Sequence, residues 1–280
     1  MTNLRIMSNN LWWCGNNTEA WQAMGADCSD VARAPGFARV YAEYQPDIIG
    51  MQECSARMYH QLFTVLAEQD SPYAVLWGRD TPILYRRDKF ELVDSEVCIY
   101  PEEVPGLEGS FNNLKTKSYC IAVLRLKETG QLLAFATTHL WYKSGDPASP
   151  GYYPGSEEAR AWQMNLLIDK LEQFREKYHC PAVVLGDFNT WASGAAVQTA
   201  LGRGYLYAHD IATEYADNTT GMHVCNGDGY QTELREGNWS LDHIMVRGFA
   251  PDAVKRFDRC CPDYYWPLSD HSPVWIDVTI

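Results

Sequence analysis

At 280 residues the chain can bury one large core, and 46% hydrophobic with 21% charged residues describes a globular protein rather than a disordered one. Acidic residues outnumber basic ones by 36 to 23, giving a formal net charge of −13 that argues against tight, unspecific binding to a polyanion. A bound divalent cation can still invert the field of a local cleft.

The opening residues, MTNLRIMSNNLW, hold a short apolar run without the pattern of a signal peptide, and no run approaches membrane-spanning length. A soluble, cytoplasmic chain without membrane insertion is expected. The nine cysteines are odd in number and form no CxxC pair, so most of them read as free thiols rather than a disulfide framework or a zinc site.

In chain order, LRIMS (4–8) reads as a strand, followed by a helix over Gly36–Tyr44 and a strand PDIIGMQE (46–53). A helix over Ala56–Glu68 precedes the strand TPILYRR (81–87). YCIAVLRL (119–126) and LLAFATTHLW (132–141) form a hairpin around Glu128, Thr129 and Gly130. The clearest helix covers Glu157–Tyr178, with Ser156 as its cap, acids in its first turn, and Met164, Leu167, Leu171, Phe174 and Tyr178 at helical spacing. Strands PAVVLGDFN (181–189), SLDHIMV (240–246) and SPVWIDVTI (272–280) follow. Loops rich in Trp, Tyr, Gly and Pro are expected at 12–35, 142–155, 217–238 and 257–269, and exposed aromatics on such loops suit a binding rim. No linker divides the chain, so residues 1–280 read as one αβ domain with helices on its outer faces.

Several strand ends carry groups suited to metal or acid–base chemistry: Asn10, Glu53, His139, Asp187 with Asn189, Asp242 with His243, and Asp270 with His271. Asp187 and Asn189 share strand parity, so extended backbone would aim both at one point and send Phe188 to the opposite layer. Taken singly, each such residue suits a turn or a structural contact. As a set they supply hard oxygen ligands (Glu53, Asp187, Asp270), neutral orienters (Asn10, Asn189) and proton-transfer groups (His139, His271). Carboxylates and amides favour Mg²⁺ or Mn²⁺ over zinc. The chemistry they suit is metal-assisted attack of water on phosphorus.

The blocks LRIMSNNLW, DIIGMQE, ILYRR, THLW, RAWQMNLLI, VVLGDFNTW, LDHIMV and SDHSPV, in this order, resemble the signature blocks of the endonuclease/exonuclease/phosphatase superfamily. The resemblance implies a four-layered α/β sandwich, two mostly antiparallel sheets face to face with helices outside. It implies Mg²⁺ (or Mn²⁺) held by Glu53 with Asn10 and Asp270. By the same resemblance, His139 binds or protonates the phosphate, Asp187 orients the nucleophile or protonates the leaving oxygen, and Asn189 binds the phosphoryl group. Asp242 would hold His271, leaving His243 to point away. Arg160 is read as packed near the site or bracing His139, with phosphate contact the lesser alternative; Trp191 and Tyr142 are substrate-side candidates.

The implied enzyme is a metal-dependent phosphoesterase acting as a monomer. The charge balance favours a small or medium organic phosphoester resting on a rim of Trp12, Trp13, Tyr142, Tyr152, Tyr153, Trp191 and Trp239. The alternative is a Mg²⁺-dependent DNA endonuclease of the DNase I or abasic-site type. A catalytically dead binding member is disfavoured, because none of the expected acidic or histidine positions is missing.

Overall fold

Alternating apolar residues build the strands. In the computed structural model, which describes residues 2–14, 18–215, 225–226, 229–230, 241–260 and 262–280, they run in chain order as follows. The strands are β1 (Asn3–Asn10), β2 (Ile48–Gln52), β3 (Tyr73–Leu76), β4 (Ile83–Arg86), β5 (Phe90–Ile99), β6 (Ser118–Leu126), β7 (Leu132–His139), β8 (Ala182–Asp187), β9 (Leu206–Tyr207), β10 (Glu214–Tyr215), β11 (Cys225–Asn226), β12 (Gly229–Tyr230), β13 (Asp242–Arg247), β14 (Val254–Arg259) and β15 (Val274–Thr279). The helices are α1 (Glu19–Ala23), α2 (Asp30–Tyr44), α3 (Ala56–Glu68), α4 (Ser156–Tyr178), α5 (Ala195–Gly202) and α6 (Ala208–Ile211). Among the described residues no helix is long and apolar enough to cross a membrane.

One sheet has the order β10-β14-β15-β1-β2-β4-β3, the other β5-β6-β7-β8-β13-β9. Only β1–β2, β10–β14 and β7–β8 pair in parallel among these neighbours, so the sheets are mostly antiparallel. A short β11–β12 pair stands apart. Leu4, Ile6 and Ile276 of the first sheet pack on Phe135, Val183 and Leu185 of the second. On the outer face of the first sheet, Phe37 and Tyr41 of α2 and Met58 and Leu62 of α3 cover Met7, Ile49 and Met51. On the outer face of the second, Met164, Leu167 and Leu171 of α4 cover Ile121, Ala136 and Val184. The four layers expected of the chain are present.

This packing aims the polar groups. Period-two alternation puts Val183, Leu185 and then Asp187 on the inner row of β8. Phe135, Thr137 and His139 share the inner row of β7, as Ile6, Ser8 and Asn10 do in β1. The apolar interior therefore turns polar toward one end of the sandwich. Ser8 Oγ donates to Gln52 Oε1 at 3.3 Å, and Gln52 Nε2 donates to Thr137 Oγ1 at 2.9 Å, linking the two sheets just below that end. Gly50 allows their approach: a Cβ there would lie 2.4 Å from Leu185 Cδ1.

Several local expectations differ from the structure. Helix α2 begins at Asp30 rather than Gly36, because Ser29 caps it by accepting from Ala32 N at 3.3 Å and Pro35 is carried inside. The loop expected at 12–35 is accordingly interrupted by α1 and by the first turns of α2. Ser156 is not the cap of α4; that place is taken by Gly155 at φ 78°, and the buried Ser156 hydroxyl donates to Tyr153 O. The β14 strand takes in residues 257–259, which the sequence assigns to a loop. Of the loop expected at 217–238, only Cys225–Asn226 and Gly229–Tyr230 are described, and they pair as β11 and β12; the rest of it, and Trp239, lie outside the described residues.

Candidate active site

The polar end of the sandwich is assembled by register. In the parallel pair β7–β8, His139 is opposite Asp187, and in the antiparallel pair β8–β13, Asp242 is opposite Asp187. Asp187 is thus flanked on one sheet by an imidazole and a carboxylate. From the facing sheet, Asn10 Nδ2 donates to Asp187 Oδ2 at 3.1 Å and to Glu53 Oε1 at 3.5 Å. Glu53 Oε2 also accepts from Trp13 N at 2.6 Å. Ligand atoms of Glu53, His139 and Asp187 all lie within 4.8 Å of one another.

The last loop closes the other side. Ser269 Oγ donates to Asn10 O at 2.8 Å and accepts from His271 N at 3.1 Å, pinning the SDH turn to the end of β1. His271 Nδ1 lies 2.7 Å from Asp242 Oδ2, while Nε2 faces Asp187 Oδ2 at 3.9 Å and Asp270 Oδ1 at 4.0 Å. His243, one residue along, takes the opposite face: its ring meets Tyr207 Oη at 3.1 Å and Thr190 O at 2.8 Å.

Asn189 reaches the site differently from its predicted course. The strand ends at Asp187, and Asn189 turns into the left-handed region at φ 52°, so the two residues do not share a face by strand parity. Its backbone N–H donates to Asp187 Oδ1 at 2.8 Å and its Nδ2 to Leu140 O at 3.1 Å. Phe188 is fully buried against the α4 layer. Trp12 at φ 55° and Glu53 at φ 54° are left-handed too. Three such non-glycine residues around one cleft mark a backbone held in costly conformations by its surroundings.

The electrostatics are those of crowded, buried carboxylates. Burial pushes Asp187 up to about 6, with His271 opposing the shift and Asp242 adding to it. Burial likewise pushes Asp270 up to about 7, against His271 and helped by Glu53 and Asp187. Asp80, also in the cleft, is raised to about 6 by burial. For His271, burial disfavours the charged ring, but Asp242 and Asp270 override it and hold its pKa well above the ordinary histidine range. His139 is held well below that range by burial, with Lys117 and His271 adding to the effect. One imidazole is thus neutral and the other cationic near pH 7.

These residues fit a divalent cation. Oxygen donors predominate, and the buried Asp270 Oδ1 accepts no hydrogen bond among the described residues. The geometric cluster joins His139 and Asp187 to Glu53, whereas sequence reasoning had grouped Glu53 with Asn10 and Asp270.

The cleft holds about 380 Å³, with Glu53, His139, Asp187, Asn189, Asp270 and His271 on its polar side and Trp12, Trp13, Leu114 and Tyr142 among its walls. Of the rim candidates, Trp13 and Tyr142 are exposed there, and Trp12 is buried. Tyr152 and Trp191 are exposed but lie outside the lining, and Tyr153 packs on Phe111 and Trp141. Arg160 is also outside it: 2% exposed, it donates to Trp141 O at 3.0 Å and Lys143 O at 2.7 Å and pairs with Glu157. It therefore braces the loop that follows His139.

Sequence reasoning missed three residues. Arg33, 1% exposed, donates to Leu11 O, Trp12 O and Leu268 O, tying the loop after β1 to the loop before His271. Its signal was an arginine on the inward face of α2, the same signal that singled out Arg160. Asp80 and Lys117 line the cleft from segments with no strand-end pattern.

The profile of the endonuclease/exonuclease/phosphatase family matches residues 10–271. Nocturnin of Xenopus laevis is 30% identical over 161 residues, which are 52% of this chain and 36% of that protein, so the chain spans about a third of this curated relative. A mannosyl-6-phosphatase of Bacteroides thetaiotaomicron superposes with a TM-score of 0.70 at 22% identity, covering 99% of this chain and 100% of that one. TDP2 of D. rerio, solved with a single-stranded DNA product, superposes with a TM-score of 0.68 at 19% identity over 100% of both chains. The chain belongs to the endonuclease/exonuclease/phosphatase family, whose members are divalent-metal-dependent hydrolases of phosphoester bonds.

Proposed function

We propose that this chain hydrolyses a small or medium organic phosphoester by Mg²⁺-assisted attack of water at phosphorus, with Mn²⁺ as a substitute ion. The observation that carries this reading is the convergence of Asn10, Glu53, His139, Asp187 and His271 from both sheets on one cleft, inside the segment that matches the family. Glu53, with Asp187, His139, Asn10 and Asp270 around it, would hold the cation, which when bound neutralises phosphoryl charge and stabilises the charge that develops in the transition state.

The protein groups divide the remaining work by their charge. The Asp187 carboxylate, raised to about 6, is a base of suitable strength near neutral pH and orients the attacking water. His271, held cationic by Asp242, stabilises the growing negative charge on the phosphoryl oxygens rather than removing a proton. His139 is neutral and buried, which suits a ligand or acceptor better than an acid. Asn189, fixed through Leu140 O, offers its amide to the phosphoryl group. Trp13 and Tyr142 would receive the organic part.

The test is a panel run with Mg²⁺ and with EDTA: bis-p-nitrophenyl phosphate, phosphomonoesters, inositol phosphates, phospholipids and plasmid DNA. Mg²⁺-dependent turnover of a small ester, lost in His271→Ala, supports the reading. Nicking of plasmid with no turnover of small esters would favour an endonuclease instead.

A further inference from the structure

Lys117 is a cleft residue to which the reading above gives no role. It is 6% exposed, yet its ammonium is at the cleft rather than snorkelled to bulk water. The position is built: Asn112, itself 1% exposed, accepts from Lys117 N at 2.9 Å and donates to Lys117 O at 2.8 Å and Tyr100 O at 2.7 Å. These bonds clamp the backbone at the start of β6.

Lys117 Nζ lies 2.6 Å from His139 Nε2 and 5.2 Å from the centre of the Tyr142 ring. Among the described residues no carboxylate comes within 4.0 Å of it; burial draws its pKa below the ordinary lysine value, and Glu53, Asp187 and Asp80 oppose that from farther away. A buried ammonium has three donors, and one imidazole cannot satisfy them. Burying such a group is costly unless an anion meets it. A second ammonium, Lys143, stands 4.9 Å from the Tyr142 ring.

We infer that Lys117 is a phosphate-binding residue that adapts the site to a terminal, dianionic phosphoryl group, so that phosphomonoesters are the preferred substrates. This rests on the phosphoesterase reading and narrows it. A terminal phosphoryl group carries between one and two negative charges near pH 7 and has three free oxygens. One face of such a group would meet the Glu53 side of the cleft, and the oxygen directed at β6 would accept from Lys117. A diester has one negative charge and two free oxygens, so it leaves this donor without an equal partner. Bonds of this charge-assisted type are the stronger ones, which gives Lys117 leverage over the choice.

The test compares wild type with Lys117→Met and Lys117→Gln on p-nitrophenyl phosphate and bis-p-nitrophenyl phosphate, both with Mg²⁺. The ratio of the two kcat/KM values does not depend on the folded fraction. Wild type should favour the monoester, and both variants should lower that ratio about 10- to 100-fold, the worth of one hydrogen bond to a charged group. Binding of inorganic phosphate to the Mg²⁺-loaded protein, read by calorimetry, should weaken about 10-fold or more in the variants. An unchanged ratio, a wild-type preference for the diester, or unchanged phosphate binding overturns this inference and leaves the phosphoesterase reading standing. Turnover of neither ester by wild type overturns both.

Discussion

The His271 ring is held to Asp242 through Nδ1 at 2.7 Å, and the same ring turns Nε2 toward Asp187 at 3.9 Å. The carboxylate behind the ring fixes its tautomer and, against the effect of burial, keeps it charged. Asp242→Asn removes that support. Its His271 should titrate at a lower pH than in wild type, read by NMR of the ring protons, and kcat should fall about 100-fold or more at pH 7. A variant with wild-type kcat would mean that the ring needs no partner.

Metal binding should register as stability. Glu53 and Asp187 approach each other across Asn10 with no cation among their hydrogen-bond partners in the described residues. An ion bound only by the folded state, at 100 times its Kd, adds about 2.7 kcal/mol, or roughly 5–10 °C in a chain of this size. Mg²⁺ or Mn²⁺ should produce such a rise in wild type, and Glu53→Gln should lose most of it. An equal rise in both proteins would place the ion elsewhere.

The pH dependence of the metal-free protein carries a sign. Asp270 is raised from 3.8 to about 7, so its contribution to stability is present below about pH 4 and is lost as pH rises through 7. Asp270→Asn removes the ionisation and keeps the shape. In EDTA the variant should melt close to wild type at pH 4 and above it at pH 8, by on the order of 2 kcal/mol, allowing for partial exposure of the side chain. In Mg²⁺ at pH 8 the order should narrow or reverse, because the ion stabilises the carboxylate. Thermal melts at the two pH values check both signs.

Two buried arginines hold the loops that carry the site. Arg33 joins the loop after β1 to the loop before His271, and Arg160 holds the loop after His139 through Trp141 O and Lys143 O. Arg33→Met and Arg160→Met each leave buried carbonyls without donors, and each should cost about 3 kcal/mol in denaturant unfolding. For Arg160→Met, a large rise in KM with unchanged stability would instead mark direct substrate contact.

Much of this was legible because one physical rule generated it. A strand buried on its inner face reads as alternating apolar residues, and a polar residue on that same parity at the strand end must sit in the cleft. Asn10, His139, Asp187 and Asp242 obey the rule, and their positions follow from it. Asn189 does not, because its left-handed backbone leaves the strand before parity can act. The β5 strand was missed because it mixes Glu91, Asp94 and Glu96 among its apolar residues, as a sheet edge permits. Lys117 was missed for another reason. Its direction is set by Asn112, five residues earlier, and nothing in local periodicity announces that clamp.

The central claim is that water attacks phosphorus in the cleft around Glu53 and Asp187. Hydrolysis of the best ester of the panel in ¹⁸O-labelled water, with Mg²⁺ present, tests it most directly. The account predicts one ¹⁸O in the released phosphate product, none in the alcohol, and no labelled product with EDTA or in Glu53→Gln. Label in the alcohol, or undiminished labelled phosphate in Glu53→Gln, would contradict it.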